Sequence, residues 1–198
     1  MTRLSLVLRS LEVLCAAGAE RVFSRQLADM VGVSAAQVRR DLMAIGYSGS
    51  PNKGYEVCAL RQAIKAWLHP GKRPAAALVG LGNLGRALIT YFHDRKPHLE
   101  LVAAFDVDPS KTCADCAGLP MYSMTSLEEV CRATGVRVAI LTLPAEAAQE
   151  VTDRLLEAGV SALVNFTHAP LTVPAGVFVE DVDLSVALDR AIFFSHDV

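Results

Sequence analysis

No apolar run in the 198 residues reaches the roughly 18 needed to cross a bilayer, and Met1-Thr2-Arg3 leads into an amphipathic pattern rather than a secretion signal. A soluble, cytoplasmic protein with no membrane partner is expected. An even set of cysteines is lacking too. The five, at positions 15, 58, 113, 116 and 131, are scattered through expected core and loop, which argues against a secreted disulfide framework. Cys113-Ala114-Asp115-Cys116 is a CxxC, but no second pair completes a four-ligand zinc site. Nor does it open a helix after a strand, as a thioredoxin-type motif would. It reads as a loop with two thiols, with a thiol switch or half of a shared metal site as alternatives, and no metal is expected. Net charge is also small, −2.

That small charge conceals an asymmetry. Residues 1–73 carry eleven Lys/Arg against five Asp/Glu, whereas residues 74–198 carry eight against sixteen. A basic segment joined to an acidic one suggests two domains, the first facing a polyanion. With 52% hydrophobic and 20% charged residues, the chain can build a core in each.

In the basic segment, Leu4, Val7, Leu8, Leu11, Leu14 and Cys15 recur at helical spacing, with Arg9 on the polar side. Ser24 is expected to cap a short helix carrying Leu27, Ala28 and Val31. Gly32 turns the chain, and Ser34 caps a further helix from Ala35 to Ile45. Helix, glycine turn and helix have the spacing of a helix-turn-helix unit. Val38, Leu42 and Ile45 share one face of the second helix; Ala36, Gln37, Arg40 and Ala44 look the other way, with Arg39 on the flank. Small residues allow close approach to a major groove, Gln can read adenine, and Arg can read guanine or hold phosphate. Residues 46–57 follow, with turn residues between Tyr47 and the pair Tyr55 and Val57. They predict a small β-hairpin, a wing with Asn52 and Lys53 near its tip. The candidate DNA contacts are therefore Ser34, Gln37, Arg39, Arg40, Asn52, Lys53 and Tyr55. After a helix from Leu60 to Leu68, His69-Pro70-Gly71-Lys72-Arg73-Pro74 makes a linker.

The acidic segment opens on Ala75-Ala76-Ala77-Leu78-Val79-Gly80-Leu81-Gly82-Asn83-Leu84-Gly85: a buried strand, a glycine-rich turn and the start of a helix running to Phe92. Such glycines permit a tight turn, close approach of backbone to a pyrophosphate, and close helix–strand packing. The helix N-terminus adds free N–H groups and partial positive charge. A second strand, Leu99 to Phe105, ends at Asp106, 21 residues beyond Gly85, where an acid accepts both ribose hydroxyls of an adenosine. A carboxylate there repels a 2′-phosphate, favouring NAD(H) over NADP(H). Thr125-Ser126-Leu127-Glu128 has the form of a capping box. Further strands, Arg137–Leu143 and Ser161–Phe166, flank a helix Ala145–Ala158. The alternation predicts an α/β fold with a Rossmann-type doubly wound parallel sheet. The candidate nucleotide contacts are Gly80, Gly82, Asn83, Leu84, Gly85, Asp106, Lys111, Thr142, Pro144, Asn165 and Phe166. His168 lacks an Asp or Arg partner near it in sequence, and no catalytic residue is expected. The last helix, 182–194, is apolar on more than one side, so it should pack against the first domain or a second subunit.

Three motifs together, Gln37-Val38-Arg39-Arg40-Asp41-Leu42, the glycine turn with Arg86-Ala87-Leu88, and Ala103-Ala104-Phe105-Asp106-Val107-Asp108-Pro109, resemble the Rex family of redox-sensing repressors. Leu143-Pro144-Ala145-Glu146-Ala147-Ala148-Gln149, Val164-Asn165-Phe166 and Val182-Asp183-Leu184 extend the likeness over nearly the whole chain. The resemblance implies a homodimer that binds an inverted-repeat operator in double-stranded DNA through its winged helices. NADH and NAD⁺ compete for its Rossmann sites, and NADH releases it from DNA. It further implies a C-terminal helix exchanged between subunits, and a switch set of Arg9, Tyr91 and Asp183 that changes partners between states. The domains are then a winged helix over 1–73, a nucleotide-binding domain over 74–181 and the exchanged helix over 182–198. Three departures stand out. Tyr91-Phe92-His93-Asp94 replaces Tyr-Pro-Gly-Phe, and the wing Ser50-Pro51-Asn52-Lys53-Gly54-Tyr55 is less basic than Lys-Arg-Gly-Val-Gly-Tyr. Asn165-Phe166-Thr167-His168 replaces Asn-Phe-Ala-Pro. The rival readings are a small NAD-dependent dehydrogenase, which needs a substrate domain, and a regulator sensing a CoA derivative.

Overall fold

The computed structural model describes residues 2–50, 53–71, 73–95, 99–112 and 118–195. Asn52, Cys113 and Cys116 lie outside the described residues. The chain divides into two compact units, 1–72 and 73–198.

The first unit is a winged helix-turn-helix. Helices α1 (Thr2–Ala16), α2 (Ser24–Val31), α3 (Ala35–Ala44) and α4 (Val57–Leu68) bury Leu4, Leu8, Leu11, Leu27, Val38, Leu42, Leu60 and Ile64 in one core. Their spacing puts those residues on inward faces. Two expectations need correcting here. Ser24 is the first residue of α2 rather than its cap: Phe23 holds the cap position, and Gln26 accepts its N–H at 2.8 Å. The wing is not a Tyr47–Tyr55 hairpin. Strand β2 (Tyr55–Glu56) pairs antiparallel with β1 (Arg21–Val22), and Ser50 bridges Gly54 across a tight turn. Val57, read as part of the wing, starts α4, its N–H bonded to the Glu20 carbonyl at 3.0 Å. A pairing with β1 was invisible locally because β1 is only two residues long.

The second unit is a six-stranded, wholly parallel sheet in the order β5-β4-β3-β6-β7-β8. In chain order these are β3 (Ala75–Val79), β4 (Glu100–Asp106), β5 (Met121–Ser123), β6 (Val136–Leu141), β7 (Ala162–Asn165) and β8 (Phe178–Asp181). Strands β4 and β5 grow outward on one side of β3, and β6, β7 and β8 on the other. That reversal between β3 and β6 makes the crevice where doubly wound sheets hold ligands. Alternate residues of β3 serve opposite faces: Ala77 and Val79 join Phe105, Leu141 and Leu155, whereas Leu78 joins Ile89 and Ile140. Strands β5 and β8 were not foreseen, since β5 has three half-buried residues and β8 is mostly exposed.

Helices α5 (Asn83–Arg95), α6 (Pro109–Thr112), α7 (Leu127–Thr134) and α8 (Ala145–Glu157) connect the strands, and α9 (Leu184–Ser195) ends the described chain. The box Thr125-Ser126-Leu127-Glu128 does not form its reciprocal cap. Ser123 instead accepts the Thr125 N–H at 3.3 Å, ahead of a 3-10 turn over Met124–Ser126. Glu128 is drawn away by Arg154, which grips it at 2.5 and 2.9 Å and donates to the Met124 carbonyl at 2.7 Å. A bidentate charged pair outweighs a neutral cap. That pairing holds the Glu128 carboxyl down at about 2. A depressed folded-state pKa stabilises above the unfolded value, near 4.5, and the gain is lost as pH falls through the folded one. Glu128→Gln should therefore lower the unfolding temperature at pH 7, and the gap to the unmodified protein should close between pH 4.5 and 2 in a thermal-melt series.

Candidate functional site

The turn after β3 is fixed by backbone geometry and by one side chain. Gly80 takes φ +102°, and a Cβ there would meet the Thr142 carbonyl oxygen at 2.5 Å. Thr142, at the end of β6, donates its hydroxyl to the Gly80 carbonyl at 2.8 Å and the Val79 carbonyl at 3.2 Å, lashing the two strand ends together. A Cβ on Gly85 would collide with the Gly80 carbonyl, so that glycine lets α5 pack on the strand. Gly82 differs. It has no left-handed φ, and a Cβ there would meet nothing within 4 Å. The protein's own packing gives no reason for a glycine at 82. The open space lies on a cleft of about 440 Å³ lined by Gly80, Gly82, Asp106, Lys111, Thr142 and Pro144. A pyrophosphate brought against that backbone supplies the missing reason. Asn83 and Leu84 are exposed at the start of α5, where N–H groups are free of helical partners.

Asp106, only 5% exposed, accepts the Leu81 N–H at 2.6 Å on Oδ2 and the Asp108 N–H at 2.9 Å on Oδ1. Lys111 lies 3.4 Å from both oxygens. An ionised carboxylate has about four acceptor sites. Two are used by backbone, and the long contacts from Lys111 occupy the others, so a pair of ribose hydroxyls would take the place of the ammonium. Asp106 thus also braces the glycine turn through Leu81. Not foreseen as lining residues were Val107, Met124, Ala147 and Val151. Their apolar bodies suit the faces of a base, but apolar residues after a strand carry no distinguishing sequence signal.

Asn165 and Phe166 stand apart from that cleft. Asn165 is an organiser: its Nδ2 donates to the Ala169 carbonyl at 2.9 Å and Asp181 Oδ1 at 2.7 Å, and its Oδ1 accepts from Thr167 N–H and hydroxyl at 3.0 and 2.6 Å. Phe166 is half-buried against the core of one sheet face. His168, which lacked a partner nearby in sequence, has one fifteen residues on: Nδ1 lies 3.4 Å from Asp183 Oδ2. Its backbone takes φ +59°, which a proline, locked near −65°, cannot adopt. The path of this loop is therefore the chain's own. Asp183 also caps α9, accepting N–H from Ser185 at 2.7 Å and Val186 at 3.4 Å; those bonds and the imidazole hold its carboxyl below the usual range. Tyr91 stacks edge-on against Phe92, and Arg9 is exposed on α1.

On the first unit, Arg39 and Arg40 are exposed on α3, and Gln37 is half-buried. Arg40 donates to Gln37 at 2.9 Å, Gln37 to Asp41 at 2.9 Å, and Arg3 grips Asp41 at 2.8 and 2.9 Å. Arg39 reaches Ser24 at 3.1 Å beside a concavity that Gly54 and Tyr55 also line. Ser34 performs the predicted cap, accepting the Gln37 N–H at 3.2 Å. Lys53 is exposed, and its carbonyl is held by Arg21 at 3.0 Å. Tyr55 departs from the expectation of an exposed reader: it is 9% exposed, packed near Tyr47, because the wing turns its ring under Gly49.

A winged helix followed by a dinucleotide-binding sheet defines a DNA-binding regulator whose input is a nucleotide. Comparisons with known proteins place it further. Residues 72–169 match the family described as CoA binding domain, and residues 1–42 the one described as putative DNA-binding protein N-terminus. The chain is 41% identical over 192 residues to the redox-sensing transcriptional repressor Rex of Listeria welshimeri, covering 97% of this chain and 89% of that protein. The crystal structure of RSP, a Rex-family repressor, matches with TM-score 0.92 at 31% identity, covering 99% of this chain and 92% of that one. RSP with β-NADH gives TM-score 0.90 at 30% identity, over 99% and 92% of the two chains. RSP with β-NAD⁺ and operator DNA gives 0.90 at 31%, over 99% and 90%. The chain belongs to the Rex family of redox-sensing transcriptional repressors. Among the described residues, no helix is long and apolar enough to cross a membrane, and no cluster of His, Cys, Asp or Glu is arranged to hold a metal ion.

Proposed function

We propose that a homodimer of this chain binds an inverted-repeat operator through α3 and the wing, and that NADH in the cleft after β3 lowers its affinity for DNA. The observation that carries the nucleotide half is the open space beside Gly82. RSP, solved with β-NADH and with β-NAD⁺ and operator DNA, supports the link to DNA. The nucleotide shifts DNA binding only by its differential affinity for the two forms of the dimer. A 100-fold change in operator affinity needs about 2.7 kcal/mol of coupling. No hydride has to move: the site distinguishes a charged nicotinamide ring from a neutral one, and an apolar environment such as Phe166 provides favours the neutral ring. Arg9, Tyr91 and Asp183 are the residues that change partners, with α9 exchanged between subunits. His168 adds a competitor for Asp183.

A gel-shift titration tests this reading. Saturating NADH should release the operator, and unchanged affinity would sink the proposal. Arg40→Ala should weaken operator binding by about 1–3 kcal/mol while NADH binding, followed by calorimetry, is retained. Asp106→Ala should do the reverse.

Two other readings have one observation each. The name of the matched family favours a CoA derivative, and the His168–Asp183 pair has the composition of a general acid–base couple. We favour a regulator without turnover. Calorimetry with NADH, NAD⁺, NADPH and a CoA ester separates the ligands, and absence of NADH consumption across a panel of small carbonyl compounds separates regulator from dehydrogenase.

A further inference from the structure

The first unit holds a pair of thiols that the nucleotide switch does not use. Cys15, half-buried near the end of α1, and Cys58, exposed in the first turn of α4, bring their sulfurs to 3.3 Å, and both are reduced. Forty-three residues separate them in sequence, so the contact is created by packing α1 on α4. Arg61, one turn further along α4, donates from Nη1 to the Cys15 sulfur at 3.3 Å. Its Nε is buried without a partner among the described residues, so the bond from Nη1 is what holds the guanidinium beside the thiols. One turn on, Lys65 pairs with Glu12 at 2.9 Å, and the two helices are tied at that level as well.

These features assign different roles to the two sulfurs. Cys15 receives the guanidinium N–H, and the two sulfurs share an S–H···S contact in which either can donate; that contact and the neighbouring sulfur push the Cys58 thiol up. The sulfur that faces the cation is the one placed to react first. A second thiol in contact is placed to resolve any oxidised product. Cys131 supplies the contrast: it is buried in the sheet unit and its thiol is pushed up to about 11.

We infer that Cys15 and Cys58 form a peroxide-oxidised thiol–disulfide site in the winged-helix unit, a second redox input that weakens DNA binding without the nucleotide. The Cys15 thiolate attacks one oxygen of a hydroperoxide, the O–O bond breaks, and the departing hydroxide or alkoxide takes up a proton. Sulfur has lost two electrons and is a sulfenic acid. The Cys58 sulfur then attacks the Cys15 sulfur, the S–O bond breaks, and the oxygen leaves as water with the Cys58 proton. For hydrogen peroxide the sum is two thiols and one peroxide giving one disulfide and two waters. A small dithiol reverses it by exchange.

The output follows from where Cys58 sits. Bond formation must shorten the sulfur separation from 3.3 Å to about 2.05 Å. Cys58 lies three residues after Tyr55, which roots the wing in the core, and the Val57 N–H is anchored to Glu20. A pull of about 1 Å on that segment reaches the wing, and surfaces complementary to DNA lose contacts on displacements of that size.

The test uses the full-length reduced protein treated with hydrogen peroxide in the absence of NADH. Intact mass should fall by two hydrogens, peptide mapping should join the segments holding Cys15 and Cys58, and dithiothreitol should restore both mass and operator binding. Operator Kd should rise at least fivefold on oxidation. The same response is expected of the double variant Cys113→Ser, Cys116→Ser, and none when Cys58→Ser, a mild change at an exposed position, is added to it. Three results would overturn the inference: no mass loss in the double variant, mass loss that persists when Cys58→Ser is added to it, or a cross-linked protein with unchanged operator affinity. The DNA readout rests on the repressor reading. Should the reduced protein fail to bind operator, that reading falls, while the mass and mapping still decide the chemistry at Cys15 and Cys58.

Discussion

Gly82→Val should abolish NADH binding, by at least 100-fold or about 2.7 kcal/mol, while the melting temperature of the protein stays within a degree or two. The separation of binding from stability rests on the surroundings of each glycine. At Gly82 a Cβ would meet no protein atom within 4 Å, and the backbone is not in the left-handed region, so a valine fits the empty protein without strain. What it fills is the space beside the helix N-terminus where phosphate oxygens approach the N–H groups. Gly85→Ala is the internal control. Its Cβ would strike the Gly80 carbonyl and lie 2.9 Å from the Thr142 hydroxyl. That variant should lose stability and binding together, because α5 is pushed off β3. Calorimetry with NADH beside thermal melts of both variants distinguishes the cases. A Gly82→Val protein that binds NADH normally would place the pyrophosphate elsewhere.

The second large effect concerns α9. Every described residue of the helix is exposed in the single chain, including Leu184 at 58%, Leu188 at 63%, Ile192 at 55% and Phe193 at 67%. A helix apolar on several sides and covered by nothing is unfavourable in water. If the proposed exchange covers it, Ile192→Asp together with Phe193→Asp should convert a dimer to a monomer, read by sedimentation velocity. Affinity for the inverted-repeat operator should fall at least 100-fold, since two half-sites are then bound by separate molecules. The secondary structure of the monomer should be kept, because both side chains are more than half exposed and the ring contact of Phe193 is with its neighbour Phe194 on the same helix. A dimer that survives both substitutions would place the interface on another surface.

Much of this was legible in the sequence, and the reason differs by element. The turn from Gly80 to Gly85 was readable because Gly80 and Gly85 answer to steric conditions that no other residue meets, and Gly82 completes the spacing beside an open cleft. The parallel, doubly wound sheet was readable because βα alternation leaves few topologies, though its edge strands β5 and β8 were not. The core of the first unit was readable because Leu4, Leu8 and Leu11 repeat at helical spacing. What stayed hidden depends on contacts distant in sequence. Tyr55 reads as a wing residue until β1 is known to pair with β2. Glu128 reads as a cap until Arg154 arrives from α8. The partner of His168 is fifteen residues away, and the Cys15–Cys58 contact spans 43. Asn165 reads in the sequence as a ligand contact at a strand end; the fold shows it holding a loop, through bonds to Ala169 and Asp181 that the sequence does not display.

The two ends of the Asn165 peptide give the sheet a short transmission. Its side chain shapes the loop to Ala169, and its backbone carbonyl accepts the Val182 N–H at 2.9 Å. The next residue is Asp183, which caps α9 and faces His168. Loop and α9 therefore share one short joint rather than a long relay. A ligand that shifts the loop by a fraction of an ångström turns the base of a twelve-residue rod, and a rod amplifies a small rotation at its base into a larger displacement at its tip. The mechanical gain of the switch is set by the length of α9, so helices shortened from the C-terminal end should give a graded loss of response to NADH.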